Sequence, residues 1–467
     1  MTGSERDDPL RSALFTDLYE LTMSAAYFAE GMDRRAVFEL FFRRMPPTRN
    51  FIIAAGLDEV LSYLEHLRFS ADDLAYLADQ DRFSREFLDF LAELRFTGDV
   101  DALPEGTPVF PDEPLIRVEA PLIEAQLVET MVLNQIHFQS IAASKAARVV
   151  MAADGRDVVD FGSRRAHGAD AALKVARTSY LAGAAGTSNV LAGKIYGVPI
   201  FGTMAHSYIQ SHDDEAGALR AFAEVHPDTT LLVDTYDTLE GVRTVVELSR
   251  DDERPLRVGG IRLDSGDLGE LARQSRRLLD DGGLEHVKIF ASSGLDEYTI
   301  RELVESGAPI DGFGVGTNMA VSDDAPGLDM AYKLVQYAGR PRMKLSTSKV
   351  MHPGPKQVFR SVDAGRMVHD VIARADEELA GQPLLEPVMR GGRRLAAGEI
   401  SLEDARDRAR EQLGRLPDRL LGIEARELEY PVSFSPALER ALEDLSGSLE
   451  ADRGAATTSA EHERSSR

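Results

Sequence analysis

Hydrophobic and polar positions fall into three successive textures along the chain. Over the first 130 or so residues, helical spacing in SADDLAYLADQ and REFLDFLAELRF alternates with the β-branched and aromatic run AVFELFFRR, which reads as a strand. Between them the proline-rich stretch TGDVDALPEGTPVFPDEPLIRVEAP predicts short strands and turns rather than helix. Residues 1–135 are therefore expected to form a mixed α+β lobe.

From about Val158 the pattern becomes short β-rich segments separated by helical stretches, at intervals of roughly 25 to 40 residues as βαβ units require. The segments are VVDFGSR, VPIFGTMAHS, TLLVDTYD, GGIRLDSGD, VKIFASSG, IDGFGVGTN and MKLSTSK. Helices intervene, such as LGELARQSRRLLDDG with Gly282 and Gly283 placed to end it. Each segment turns from apolar to Gly, Ser, Thr, Asp, Arg or His at its C-terminal end. In a parallel barrel all strands end on one face, where the βα loops build the active site. The fold class expected is α/β, an irregular (β/α) barrel over residues 136–354. An open doubly wound sheet would also gather polar groups at strand ends.

Residues 355–447 return to mixed patterns, with QVFRSVDAGRMVHDVIAR as a hairpin and SLEDARDRAREQLGRL as a charged amphipathic helix, and are expected to fold back onto the N-terminal lobe. Residues 448–467 contain one large apolar side chain and are expected to be disordered.

Composition narrows the function. The chain has 467 residues, more than one core usually supports, so two packed domains, or one large domain with an elaborated partner, are expected. Asp and Glu number 78 against 53 Lys and Arg, a formal charge of −25, which repels nucleic acid and anionic membranes over most of the surface. Anionic ligands then require local cationic pockets. Without cysteine there is no disulfide, thiolate nucleophile or cysteine-ligated metal. The N-terminal stretch lacks a signal-peptide pattern and no segment approaches the 18 apolar residues of a membrane span, so a cytoplasmic location is expected.

Five constellations at the strand ends carry candidate chemistry. Arg164 and Arg165 in DFGSRRAHG suit bidentate binding of carboxylate or phosphate, or surface salt bridges, and Phe161 offers a ring face or core filling. His206 in GTMAHS, three residues after Thr203, suits a general base, metal ligand, phosphate acceptor or structural histidine; His167 and His212 compete with it. LLVDTYDT and IRLDSGD supply Asp234, Asp237, Asp264 and Asp267. Such carboxylates can hold Mg²⁺ or stabilise a sugar cation, whereas about half of them are expected to be helix N-caps. ASSGLDE and GFGVGTN provide glycine turns of the kind that present backbone amides to phosphate. LLVDTYDT also imitates the diphosphoribosyl loop of purine-salvage phosphoribosyltransferases, but after Thr238 it continues into a helix instead of a phosphate-wrapping turn.

Taken in order, TDLYELTM, DFGSRRAHG, TSNVLAG, GTMAHS, DTYDT, RLDSGD and GVGTN resemble nicotinate phosphoribosyltransferase over roughly residues 11 to 360. The resemblance implies the irregular barrel of the type II phosphoribosyltransferase kind beside a mixed lobe, in a homodimer with shared active sites. It implies nicotinate, phosphoribosyl pyrophosphate and ATP as substrates, with Mg²⁺, in NAD biosynthesis. By the same resemblance His206 is the histidine that ATP phosphorylates, and Tyr19 of the neighbouring subunit, Thr203 and Arg262 surround nicotinate. Phe161 stacks near the pyridine, Arg164 approaches ligand oxygens, Asp234 and Asp264 face ribose and metal, and Gly316 with Thr317 holds the 5-phosphate. Ser293 and Gly294 are further candidates for phosphate or ribose, and Lys333 and Lys349 for assistance.

By the same resemblance, the nicotinamide-specific enzymes of the superfamily would carry an acid where this chain has Asn189; an acid would repel a carboxylate, so nicotinate is favoured over nicotinamide. Independently of the resemblance, a Mg²⁺-dependent barrel enzyme acting on another phosphorylated sugar would use the same aspartates and no phosphohistidine. A non-enzymatic sensor on a degenerate barrel accords poorly with so complete a polar rim.

Overall fold

The computed structural model describes the backbone of residues 12–345, 351–424 and 430–465, and side chains as far as 451. The chain forms two compact units, one of residues 1–140, 327–420 and 426–467 and the other of residues 141–326 and 421–425.

The first unit is built on a seven-stranded antiparallel sheet. Its strands run in the order Arg340–Pro341, Met330–Tyr337, Arg35–Phe42, Ile116–Pro121, Asp99–Ala102, Glu386–Arg390, Arg393–Arg394. Arg35–Phe42 lies inside the sheet, and every residue after Arg35 is buried, as its unbroken apolar run requires. The predicted helices appear at Ala71–Asp79, with a Ser70–Asp73 capping box, and at Arg85–Glu93, capped by Ser84. Residues from the C-terminal third enter the same sheet, where Glu386–Arg390 pairs with Asp99–Ala102. The predicted hairpin pairs Lys356–Asp363 with Arg366–Arg374 through Ala364 and Gly365, both at positive φ as a tight two-residue turn demands.

The second unit carries the six-stranded parallel sheet of the irregular barrel. In chain order its strands are β1 (Asp157–Asp160), β2 (Gly186–Thr187), β3 (Thr229–Leu232), β4 (Val258–Leu263), β5 (Lys288–Ser292) and β6 (Gly312–Val315). The spatial order is β2-β1-β6-β5-β4-β3, each pair parallel. Apolar residues such as Leu231, Ile261, Ile289 and Phe313 are fully buried, the consequence of burial on both faces of a parallel sheet. Four helices that precede or follow these strands begin with an aspartate cap: Asp214, Asp237, Asp267 and Asp296 each accept a backbone N–H from the residue three positions on. Leu268–Asp281 ends as predicted, with Gly283 at φ 77°.

Four expectations are corrected. VPIFGTMAHS forms no full strand: only Ile200 bridges to Thr187, and although Val198 and Met204 are buried, Ile200 and Phe201 between them are exposed, so the run does not fill the core as a barrel strand would. MKLSTSK contributes no barrel strand in its described part, Met343–Leu345, and the rest lies outside the described residues. The barrel unit accordingly ends at Pro326, ahead of 354, because Met330–Tyr337 pairs with Arg35–Phe42 in the other sheet. Where the sequence predicts disorder from residue 448, the backbone is helical over Pro436–Ser465. Alanine, glutamate and arginine are strong helix formers, so local propensity supports that helix without an apolar stripe.

Candidate active site

The strand ends of the barrel unit converge on a cavity of about 200 Å³. Phe161, Arg164 and Arg165 reach it from the end of β1, Asp264 from β4, Ser292, Ser293 and Gly294 from β5, and Gly316, Thr317 and Asn318 from β6. This is the rim that the apolar-to-polar switches in the sequence predict.

The turn after β1 is fixed from beneath. Asp160 is fully buried; its Oδ1 accepts the Gly162 N–H at 2.7 Å and its Oδ2 the Thr187 hydroxyl at 2.7 Å. Burial pushes its carboxyl above the ordinary carboxylate range, with both hydrogen bonds opposing that rise. Phe161 donates its N–H to Val315 O at 2.8 Å, and its ring lies over β6 because Gly314 has no side chain. A Cβ there would fall 2.5 Å from the Phe161 ring.

The acids sort into two kinds. Asp237 and Asp267 cap helices, whereas Asp234 and Asp264 tie strand ends together. Oδ2 of Asp234 accepts the Asp264 N–H at 2.9 Å and the Ser265 hydroxyl at 2.7 Å, while its buried Oδ1 has no hydrogen-bond partner. The Ser292 hydroxyl donates to Oδ1 of Asp264. Oδ2 of Asp264 lies 3.8 Å from Nε2 of His206. On the other side of that ring, Nδ1 is 3.1 Å from the Thr235 hydroxyl.

Thr203 and Arg262 meet directly, Arg262 Nη1 donating to Thr203 Oγ1 at 2.6 Å. Burial lowers the pKa of Arg262, partly offset by the charges of Asp264 and Asp234. Its buried Nε makes no hydrogen bond, which leaves a cationic donor for a ligand. Ser293 adopts φ 92° and Gly294 φ 62°. The left-handed region costs a non-glycine residue about 1–3 kcal/mol, a strain typical of ligand-clamping turns. Asn318 closes that turn against the next one by donating to Gly294 O and Leu295 O at 3.3 Å each.

Asn189 and Tyr19, also expected at the site, are not among the residues that line the cavity. The Asn189 side chain caps the helix Val190–Tyr196, accepting the Ala192 N–H at 3.1 Å. Tyr19 belongs to the first unit, on the helix Leu18–Ala29, where it is 45% exposed; burial of its hydroxyl and the charge of Glu129 raise its pKa. Of the two assisting lysines, Lys333 also lies in the first unit, and Lys349 lies outside the described residues. Sequence reasoning passed over Asp160, Thr187, Thr235, Ser265, Ser292 and Asn318. The signal for several was their position among the polar residues that end each strand.

Among the described residues, no group of three or more His, Asp or Glu side chains is arranged to hold a metal alone. The donor set nearest that role is Asp234 with its orphaned oxygen and Asp264. Two carboxylates fit Mg²⁺ that is shared with substrate oxygens, since Mg²⁺ retains waters and leans on few protein ligands.

Known proteins share this architecture. Human nicotinic acid phosphoribosyltransferase superposes with a TM-score of 0.82 at 29% identity, covering 92% of this chain and 99% of that one. The fold is thus that of the type II phosphoribosyltransferases, an irregular α/β barrel accompanied by a mixed α+β lobe. Models of the nicotinate phosphoribosyltransferase N-terminal domain and of the nicotinate phosphoribosyltransferase family match residues 14–137 and 157–346. A nicotinate phosphoribosyltransferase of Mycobacterium tuberculosis, pncB2, is 58% identical over 423 residues, 91% of each chain. One from Bacillus subtilis is 41% identical over 390 residues, 81% of this chain and 79% of that protein. The chain belongs to the nicotinate phosphoribosyltransferase family.

Proposed function

We propose that this enzyme joins nicotinate to the ribose 5-phosphate of phosphoribosyl pyrophosphate, releasing pyrophosphate, and that ATP is consumed through phosphorylation of His206. The observation that carries this reading is the position of Asp264, which lines the cavity and also approaches His206 at 3.8 Å. One carboxylate can thereby respond to both the sugar and the histidine.

In the proposed reaction the pyridine nitrogen donates its lone pair to the anomeric carbon. The bond from that carbon to the diphosphate oxygen breaks, and pyrophosphate leaves with the electron pair. The carboxylates of Asp234 and Asp264 stabilise the sugar cation that develops between these events. Arg164 and the turns at Ser293–Gly294 and Gly316–Thr317 hold the phosphorylated sugar, Arg262 with Thr203 receives the nicotinate carboxylate, and Phe161 offers its ring to the pyridine. Asp234 and Asp264 are the residues that would hold Mg²⁺, which would supply neutralisation of charge on the leaving diphosphate. Phosphorylation adds about −1.5 to −2 charges at His206 beside Asp264, enough to reorganise the cationic contacts of the site.

The reading includes a homodimer to which Tyr19 of the neighbouring subunit contributes. Supporting it is a run of exposed apolar side chains on the barrel unit, Val190, Leu191, Ile195, Ile200 and Phe201, each 46–68% exposed. Such a patch is costly to leave in water. The reading also includes a cytoplasmic location; no described helix is long and apolar enough to cross a membrane.

The test is product formation with nicotinate against nicotinamide, with and without ATP, for the parent and His206→Ala. We expect a clear nicotinate preference and loss of ATP stimulation in the variant. Equal use of nicotinamide, or a variant as responsive to ATP as the parent, overturns the reading.

A further inference from the structure

We infer that Thr235 is a positioning residue for His206, holding the imidazole at Nδ1 in the orientation that exchanges phosphate with ATP. The inference rests on the phosphohistidine reading above and adds to it the group that aims the ring.

The His206 side chain is 40% exposed, so packing alone does not fix its rotamer. It begins a helix of only five residues, His206–Gln210, whose cap at Ala205 makes no side-chain hydrogen bond. The separation of 3.8 Å between Nε2 and Asp264 is too long for a hydrogen bond. Among the described residues, the ring's hydrogen bond is the one at 3.1 Å to Thr235 Oγ1.

Thr235 is far better anchored than its partner. It follows Leu231, Leu232 and Val233, all fully buried, and Asp234, which is itself tied to β4. Two residues later Asp237 caps the next helix. A hydroxyl can accept from a protonated Nδ1 or donate to a bare one, so the contact holds in either tautomer.

Phosphorylation forms one N–P bond and breaks the bond between the γ-phosphorus and the bridging oxygen, with ADP leaving on the electron pair. The ring must offer one unprotonated nitrogen and keep its proton on the other. A hydroxyl held against Nδ1 fixes the direction in which the ring faces, whichever nitrogen carries the proton.

The experiment compares the parent with Thr235→Val, Thr235→Ala and Thr235→Ser. Label transferred to the protein from γ-labelled ATP is followed over time, together with product formation with and without ATP. Side-chain ¹⁵N shifts of His206, assigned against His206→Gln, report the hydrogen bonding of its ring nitrogens. Loss of one hydrogen bond is expected to slow labelling roughly five- to tenfold in the Val and Ala variants and to lower the ATP stimulation ratio in step. The ¹⁵N shifts should move in both, and Thr235→Ser should restore rate and shifts to near those of the parent.

Labelling of the Val and Ala variants at the parental rate overturns the inference and leaves the phosphohistidine reading standing. A general fall in activity with rate of labelling, ratio and shifts unchanged overturns it also. Absence of label on the parent overturns that reading and this inference together.

Discussion

Asp264 donates its backbone N–H to Oδ2 of Asp234 at 2.9 Å, so one carboxylate fastens the end of β4 to the end of β3. Asp234→Ala would leave that N–H and the Ser265 hydroxyl without their acceptor, at a cost of about 1–3 kcal/mol. Asp234→Asn keeps an oxygen in place but removes the charge. We therefore expect both variants to lose about 10²-fold or more in kcat/KM, the scale of removing one preorganised electrostatic group, with only the alanine variant clearly destabilised. Steady-state kinetics and thermal unfolding of the pair check this. Parental kcat in Asp234→Asn would remove the charge from the mechanism.

Phe161 and Gly314 form the second testable contact. The Phe161 backbone is pinned to Val315, so the ring cannot retreat as a unit when a methyl group is added beneath it. Gly314→Ala puts a Cβ 2.5 Å from the Phe161 ring and 2.9 Å from that of Phe290. The overpacking should cost about 1–3 kcal/mol and tilt the ring away from its present place. If Phe161 receives the pyridine, KM for nicotinate should rise about tenfold while KM for phosphoribosyl pyrophosphate changes less. An unchanged KM for nicotinate in a folded variant would show that the ring is core only.

The same residues explain how far the sequence could be read. The strand ends were visible because an apolar run breaks into polar residues at the same point in β1, β3, β4, β5 and β6. β2 was not, since two residues carry no period. The D-x-x-D spacing in DTYD and DSGD places one acid at a strand end and the other at a helix start in both motifs. Spacing alone does not say which acid is the cap, and the structure assigns the second of each pair to that role. VPIFGTMAHS misled because an apolar run looks alike whether it fills a core or covers a surface, and Ile200 and Phe201 do the latter. The supporting side chains, Asp160, Ser292 and Thr235, act through partners distant in sequence, which periodicity does not record.

Asn189 offers a specificity test with a built-in folding control. Its side chain caps a helix, and aspartate caps as well as asparagine does, so Asn189→Asp should change stability by less than about 0.5 kcal/mol. The added charge should nevertheless disfavour a carboxylate ligand relative to an amide. We expect the ratio of kcat/KM for nicotinate over nicotinamide to fall several-fold. A ratio equal to the parent's, in a variant of unchanged stability, would confine Asn189 to its cap.

Glu20 links the first unit to pH. Its side chain is fully buried, where its two oxygens accept the hydroxyls of Thr16 and Thr130 at 2.5 Å each and the Thr130 N–H at 3.1 Å. Burial pushes its pKa up from 4.5 to about 7, against the lowering effect of those hydrogen bonds. Near pH 4.5 the folded and unfolded chains are both able to hold the proton, and folding suffers no penalty. As pH rises towards 7 the unfolded chain has released the proton while the folded chain still binds it, so stability falls, and above 7 the loss is complete. Relative to Glu20→Gln, which cannot ionise, the parent should therefore lose about 2 kcal/mol of local stability between pH 5.5 and 8. Native-state hydrogen exchange in the helix Leu18–Ala29, corrected for intrinsic rates, reads this directly because that helix carries Glu20. A constant offset between the two proteins over the range would show that Glu20 is already ionised in the folded state at pH 5.5. A difference that widens towards pH 7 and then levels would mean that the helix bearing Tyr19 opens more easily because opening releases the proton that the folded carboxyl still holds.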